Sequence, residues 1–151
     1  MPLVSRALPV IGCRLRDSTD ELTATATWEY LNFDTESYDT DGMHEGVTNP
    51  SRITIKVAGV YVFGALIEWA TNATGYRLIQ INLNRTTAIV RDFQGAVSGN
   101  ATTSECGSTY EFSVDDYIEV RVYQTSGGNL NVVAGSDWSP VFWAYMIGWP
   151  T

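Results

Sequence analysis

The sequence is short of charge, cysteine and histidine, and it has no long apolar run. Only 17% of its 151 residues are charged, while 12% are aromatic. That balance excludes disorder over most of the chain and leaves one domain large enough to bury a real core. No apolar stretch approaches the ~18 residues that cross a bilayer. The opening MPLVSRALPVIGC is broken by Pro2, Arg6 and Pro9, a poor signal-peptide core, so synthesis in the cytoplasm is expected. Two cysteines, Cys13 and Cys106, exclude a disulfide framework and leave two thiols or a single bridge. No helical period runs over ten residues, and P-loop, dinucleotide and zinc spacings are missing.

Charge is also one-sided. The formal net charge is -8, yet the first 16 residues hold Arg6, Arg14 and Arg16 and no acid. An acidic body repels phosphate, so neither nucleic acid nor a membrane surface is an expected partner.

What is present is a series of short alternating stretches, eight to ten in number, at the spacing of an all-β sandwich or barrel. The chain is organised around Tyr30 to Trp69, where a polar loop leads into two strands separated at Ala58-Gly59. Strands are expected at Trp28 to Phe33, Arg52 to Val57, Val60 to Trp69, Tyr76 to Asn84, Thr87 to Phe93, Thr109 to Val114, Tyr117 to Thr125, Leu130 to Ala134 and Val141 to Ile147. Asp34 to Gly46 and Ala96 to Ser108 read as loops. Residues 1–27 read as an N-terminal arm with a short strand at Ile11 to Leu15, and 28–151 as the domain.

Val60 to Leu66 and Val141 to Ile147 are apolar on both alternating faces. A two-sheet sandwich buries one face per strand, so the second face needs cover, and another subunit is the natural cover. A closed cyclic homo-oligomer follows, with Tyr61, Trp143 and Tyr145 expected at its axis.

The order Asn32-Phe33-Asp34, Tyr38-Asp39, Arg52 to Val57, Gly59-Val60-Tyr61-Val62-Phe63, Val114-Asp115-Asp116-Tyr117-Ile118-Glu119-Val120 and Phe142-Trp143-Ala144-Tyr145-Met146-Ile147 resembles the trimeric jelly roll of the complement q globular head and tumour necrosis factor. The match runs from about Trp28 to Gly148. It departs from that pattern at Asp115-Asp116, Asn84-Arg85 and Trp143-Ala144, and there is no collagen-like Gly-x-y stalk. The wording from Leu31 to Ile55 looks more like the jelly-roll modules of tailed-phage virion proteins. The resemblance implies an antiparallel jelly-roll sandwich, a homotrimer and, through the phage modules, a place in a virion.

No residue is expected to be catalytic, and no metal or cofactor is expected. His44 lies alone in a polar loop, with no activated nucleophile beside it. Asp34, Glu36, Asp39, Asp41 and Glu45 could offer oxygens to calcium, but they lack the glycine and spacing of a calcium loop. The functional expectation is a capsid decoration protein, not an enzyme. Its arm residues Leu3, Val4, Arg6, Leu8, Val10, Ile11, Arg14 and Arg16 would contact the major capsid protein, another virion protein or a neighbouring subunit. The alternative is a receptor- or glycan-binding tip of a tail fibre or spike, using exposed loops such as Ser98 to Gly107 and Ser126 to Asn129. A cytokine-like secreted ligand is a third reading, weakened by the missing stalk and signal.

Overall fold

The structure, a computed structural model, describes residues 10–151, and within them every regular element is a strand. In chain order these are β1 (Gly12–Arg16), β2 (Glu21–Thr23), β3 (Glu29–Tyr30), β4 (Thr35–Asp39), β5 (Arg52–Thr54), β6 (Gly59–Trp69), β7 (Tyr76–Leu83), β8 (Thr87–Gly95), β9 (Thr102–Phe112), β10 (Tyr117–Gln124), β11 (Leu130–Val133) and β12 (Val141–Gly148). They form two antiparallel sheets. The first runs β2-β11-β6-β12-β1-β4, with β9 along the other side of β6. The second runs β3-β10-β7-β8, with β5 also on β10. The architecture is the expected jelly-roll sandwich.

β6 shows why the sheets stack. Tyr61, Phe63, Ala65, Ile67 and Trp69 alternate onto one face and are fully buried. They meet Ile79 and Ile81 of β7 and Ile118, Val120 and Val122 of β10 in one continuous core. Phe112 sits 5.9 Å from Tyr61 and 5.6 Å from Phe63, ring to ring, and Phe33 sits 5.4 Å from Phe142. Each fully buried aromatic or branched side chain contributes about 1.5–3 kcal/mol from area removed from water. The β6–β7 connection closes at Gly75, with φ of +74°, where a Cβ would lie 2.0 Å from the Thr125 carbonyl oxygen. Only glycine fits there.

The structure departs from the sequence expectation in three places. β1 is not part of an arm. It lies between β12 and β4 and is hydrogen-bonded to both, because Cys13 and Leu15 point into the core and are fully buried. β2 likewise pairs with β11, so among the described residues the sandwich begins at Gly12, inside the expected arm. The stretch Asp34 to Gly46 contains β4, an edge strand whose residues are polar on both faces. β9 starts at Thr102 and pairs with the whole of β6, so the expected loop up to Ser108 is half strand.

Candidate functional site: the two outward sheet faces

The register fixes what each sheet turns outward. On the first sheet, Val62 lies beside Tyr145, Gly64 beside Trp143 and Leu66 beside Val141. Across β12, Tyr145 meets Gly12, Trp143 meets Arg14 and Val141 meets Arg16. The result is an outward strip of Val60, Val62, Leu66, Trp143 and Tyr145 around glycines. Two of those glycines make room for the rings. A Cβ on Gly64 would come 2.4 Å from the Trp143 indole, and one on Gly12 would come 2.6 Å from Tyr145 Cβ. Trp143 therefore lies flat against β6. It also walls an open groove of about 430 Å³ with Val90, Arg91, Asp92, Glu105, Cys106 and Gly107. Tyr145 is 36% and Ile147 57% exposed.

The outward face of the second sheet is polar and aromatic. Glu119 on β10 is fully buried beneath it. Its carboxylate accepts from Ser51 Oγ at 2.6 Å, from Arg85 Nε and Nη2 at 2.7 and 2.9 Å, and from Arg52 Nε at 3.3 Å. Burial pushes this carboxyl up, but the Arg85 and Ser51 hydrogen bonds hold it below its ordinary value. Three arginines stack on rings: Arg52 on Tyr117 at 3.9 Å, Arg85 on Tyr30 at 4.5 Å and Arg121 on Trp28 at 4.2 Å. Beside them a row of rings crosses the sheet. Trp28 and Tyr123 are 5.2 Å apart, Tyr123 and Tyr76 6.1 Å, and Tyr76 and Phe93 4.9 Å.

Three solved structures share the two-sheet fold. Eiger TNF from S. frugiperda superposes with a TM-score of 0.68 at 10% identity, covering 95% of this chain and 96% of that one. Murine APRIL gives 0.67 at 8% identity, covering 92% and 100%. The globular domain of zebrafish complement 1qA gives 0.60 at 13%, covering 92% and 98%. The fold is that of a tumour necrosis factor-like jelly roll. No protein-family model matches the chain, and no curated protein matches it.

Within this jelly roll, the expected site residues are placed as follows. Trp143 and Tyr145 stand on the outward face of the first sheet. Tyr61 does not. It points inward, is fully buried, and donates its hydroxyl to the Val57 carbonyl at 2.7 Å, and burial raises the phenol to about 12. The error has a simple cause: both faces of β6 are apolar, and alternation alone does not say which is the core.

Leu3, Val4, Arg6 and Leu8 lie outside the described residues. Val10 is exposed, whereas Ile11 packs against the core. Arg14 donates to Ser37 Oγ at 2.8 Å and to the Asp137 carbonyl at 2.6 Å, while Arg16 reaches the Ser136 carbonyl at 2.7 Å and the Asp137 carboxylate at 3.3 Å. These two arginines fasten the β11–β12 connection to β1.

His44 is not solvated. It is buried, with Nδ1 3.0 Å from Glu36 Oε1 and Nε2 3.2 Å from the Pro50 carbonyl oxygen. The neighbouring acids are taken up by backbone amides: Asp39 accepts from the Met43 and His44 amides of its own loop at 2.9 and 3.0 Å, and Asp34 from the Ser18 amide of the β1–β2 turn at 2.9 Å. Among the described residues no three metal-ligating side chains converge. Cys13 and Cys106 are free thiols. They sit on β1 and β9, three strand spacings or about 14 Å apart, too far for a bridge. Burial raises Cys106 to about 12 and Cys13 further still, which leaves neither a ready nucleophile.

A second groove, about 490 Å³, is lined by Asp17, Glu21, Glu29, Asp34 and neighbouring residues. Burial raises the Glu21 carboxyl to about 8; the Asn32 amide opposes this, and Asp17 and Glu29 add to it. The sequence did not signal the aromatic row, because Trp28, Tyr76, Phe93 and Tyr123 come from segments far apart in the chain.

Proposed function

We propose that this chain is a homotrimeric structural protein of a virion surface, a capsid decoration protein rather than an enzyme. The observation that carries the assembly is the outward apolar strip of the first sheet, with Val62, Trp143 and Tyr145 at its centre. Such a strip on a small domain marks an interface. Three copies turned about an axis would bury it. The virion placement is supported by the sequence resemblance to phage jelly-roll modules. Trimers on a capsid lattice multiply weak contacts. With β1 and β2 taken up by the sandwich, capsid contact falls to the chain before Gly12.

Light scattering after gel filtration tests the assembly: a mass about three times the 16.7 kDa chain is expected, and a monomer at micromolar concentration would refute it. Counting copies per particle against the major capsid protein tests the placement. Hundreds support decoration; a handful place the chain at a tail or vertex. Removing residues 1–9 should abolish capsid binding and keep the trimer.

The second reading, a receptor- or glycan-binding tip, is favoured by the exposed aromatic row on the second sheet.

A further inference from the structure

We infer that the outward face of the second sheet is a binding site for a carboxylate-bearing saccharide. The inference deepens the glycan-binding reading and needs neither the trimer nor the virion, since every residue it uses belongs to one chain.

The first argument is charge. The protein carries -8, yet four of its nine basic residues, Arg52, Arg85, Arg91 and Arg121, gather on this face. Glu119 answers Arg52 and Arg85. Arg91 and Arg121 have no carboxylate partner among the described residues. Both lie opposite Gln80 of β7, one on each side. With the Gln80 amide oxygen turned toward Arg121, it accepts from Nε at 2.9 Å and Nη2 at 2.7 Å. Trp28 stacks on the same guanidinium. Arg121 is thus held from beneath and from the side, and it is only partly buried, so its guanidinium stays open to an incoming anion. A fixed guanidinium loses little freedom on binding a carboxylate, which is what makes it selective.

The second argument is shape. Trp28, Tyr123, Tyr76 and Phe93 cross β3, β10, β7 and β8, a span of about 14 Å. Trp28 is 37% and Phe93 61% exposed. Their rings touch at tilts of 40–47° at the two ends of the row. They form a continuous ridge without separate slots for flat bases. A ridge suits the C–H faces of successive sugar rings, and the adjacent Arg121–Gln80–Arg91 row suits their polar edge. Apolar floor with a few convergent polar groups is the usual composition of a small-ligand site. Two uncompensated arginines are too few to track a phosphate backbone on an acidic protein.

The test is isothermal titration of the full chain with sialyllactose and trigalacturonate. Lactose and maltotriose serve as neutral controls, hexathymidylate as the nucleic-acid control, and scattering mass is measured in parallel. Saturable binding of at least one acidic sugar, absent for the neutral ones and weakened on adding salt, is the expected result. Arg121→Gln should weaken it about tenfold, the scale of one lost charge-assisted hydrogen bond. Arg91→Gln and Phe93→Ala, at exposed positions that leave the core untouched, should each weaken it several-fold with the mass unchanged. Four outcomes overturn the inference: no saturable acidic sugar, equal binding of neutral sugars, indifference to all three substitutions, or tighter binding of hexathymidylate. A monomeric mass alongside acidic-sugar binding would refute the trimer and leave this site standing.

Discussion

The two outward faces of this sandwich solve the same problem in opposite ways. Each sheet has an outer surface left over once the core is filled. On the second sheet the surface is finished from within the chain: arginines cover rings, and a buried glutamate ties two of them down. On the first sheet Val62 is partly and Tyr145 more fully exposed, and Gly64 and Gly12 leave room for the Trp143 and Tyr145 side chains beside them. A face finished in polar and cationic groups is free to meet solvent and small ligands. A flat apolar face with small residues is fit to meet another protein. The lesson is that composition averaged over the chain hides this division; the register reveals it.

Breaking the first face should have the largest effect. Val62→Glu with Tyr145→Glu places two carboxylates on the strip, and the proposed trimer should fall to monomers at micromolar concentration while the far-ultraviolet circular dichroism keeps its β signature. A trimer that survives both charges would mean the strip is not the interface.

The second face breaks differently. Glu119→Ala should cost about 3 kcal/mol in urea unfolding, the low end for removing one partner of a buried pair, because Arg85 is half exposed and can rehydrate. The mass should not change.

A smaller effect should be pH-dependent. Glu21 holds its proton in the folded state to about pH 8, against an ordinary value of 4.5. The folded value is raised, so its stabilising contribution is full below about 4.5 and is lost as pH rises through about 8. Glu21→Gln should flatten that decline and raise stability at pH 9 by about 2 kcal/mol, read from melting curves across the range. A slope identical to the parent would remove Glu21 from the account.

The smallest change sharpens the contrast. Tyr61→Phe deletes the bond to Val57 and should cost about 1 kcal/mol, with the assembly untouched. A loss of trimer there would return Tyr61 to the interface.

Much of the sandwich was legible because its strands announce themselves in pairs of faces. Val60 to Trp69, Tyr76 to Asn84 and Tyr117 to Thr125 were found within a residue or two at each end. The failures follow from what alternation cannot report. β4 is polar on both faces, and the Thr102 to Ser108 half of β9 is built of small residues, so neither carries a period. Cys13 and Leu15 alternate with Arg14 and Arg16, and that signal was readable. It was outweighed by the prolines before it, which suggested an arm. Trp143 and Tyr145 were legible as surface candidates because β12 is short and apolar throughout. The arginine–ring pairs were not, since Arg121 and Trp28, or Arg85 and Tyr30, meet only through strand order.

One consequence of that strand order concerns how the protein is made. β12, the last strand in the chain, is inserted between β6 and β1. Until it arrives, β1 with β4 shares no hydrogen-bonded edge with the rest of its sheet. Synthesis proceeds from the other end at about 5–20 residues per second, so the nascent chain waits several seconds with Cys13, Leu15 and one hydrogen-bonding edge of β6 unsheltered. Closure then depends on contacts between the two ends of the sequence, the slowest kind to form. The chain therefore has no stable half, and a translation product stopped before Val141 should be recognised by chaperones or proteases as unfinished.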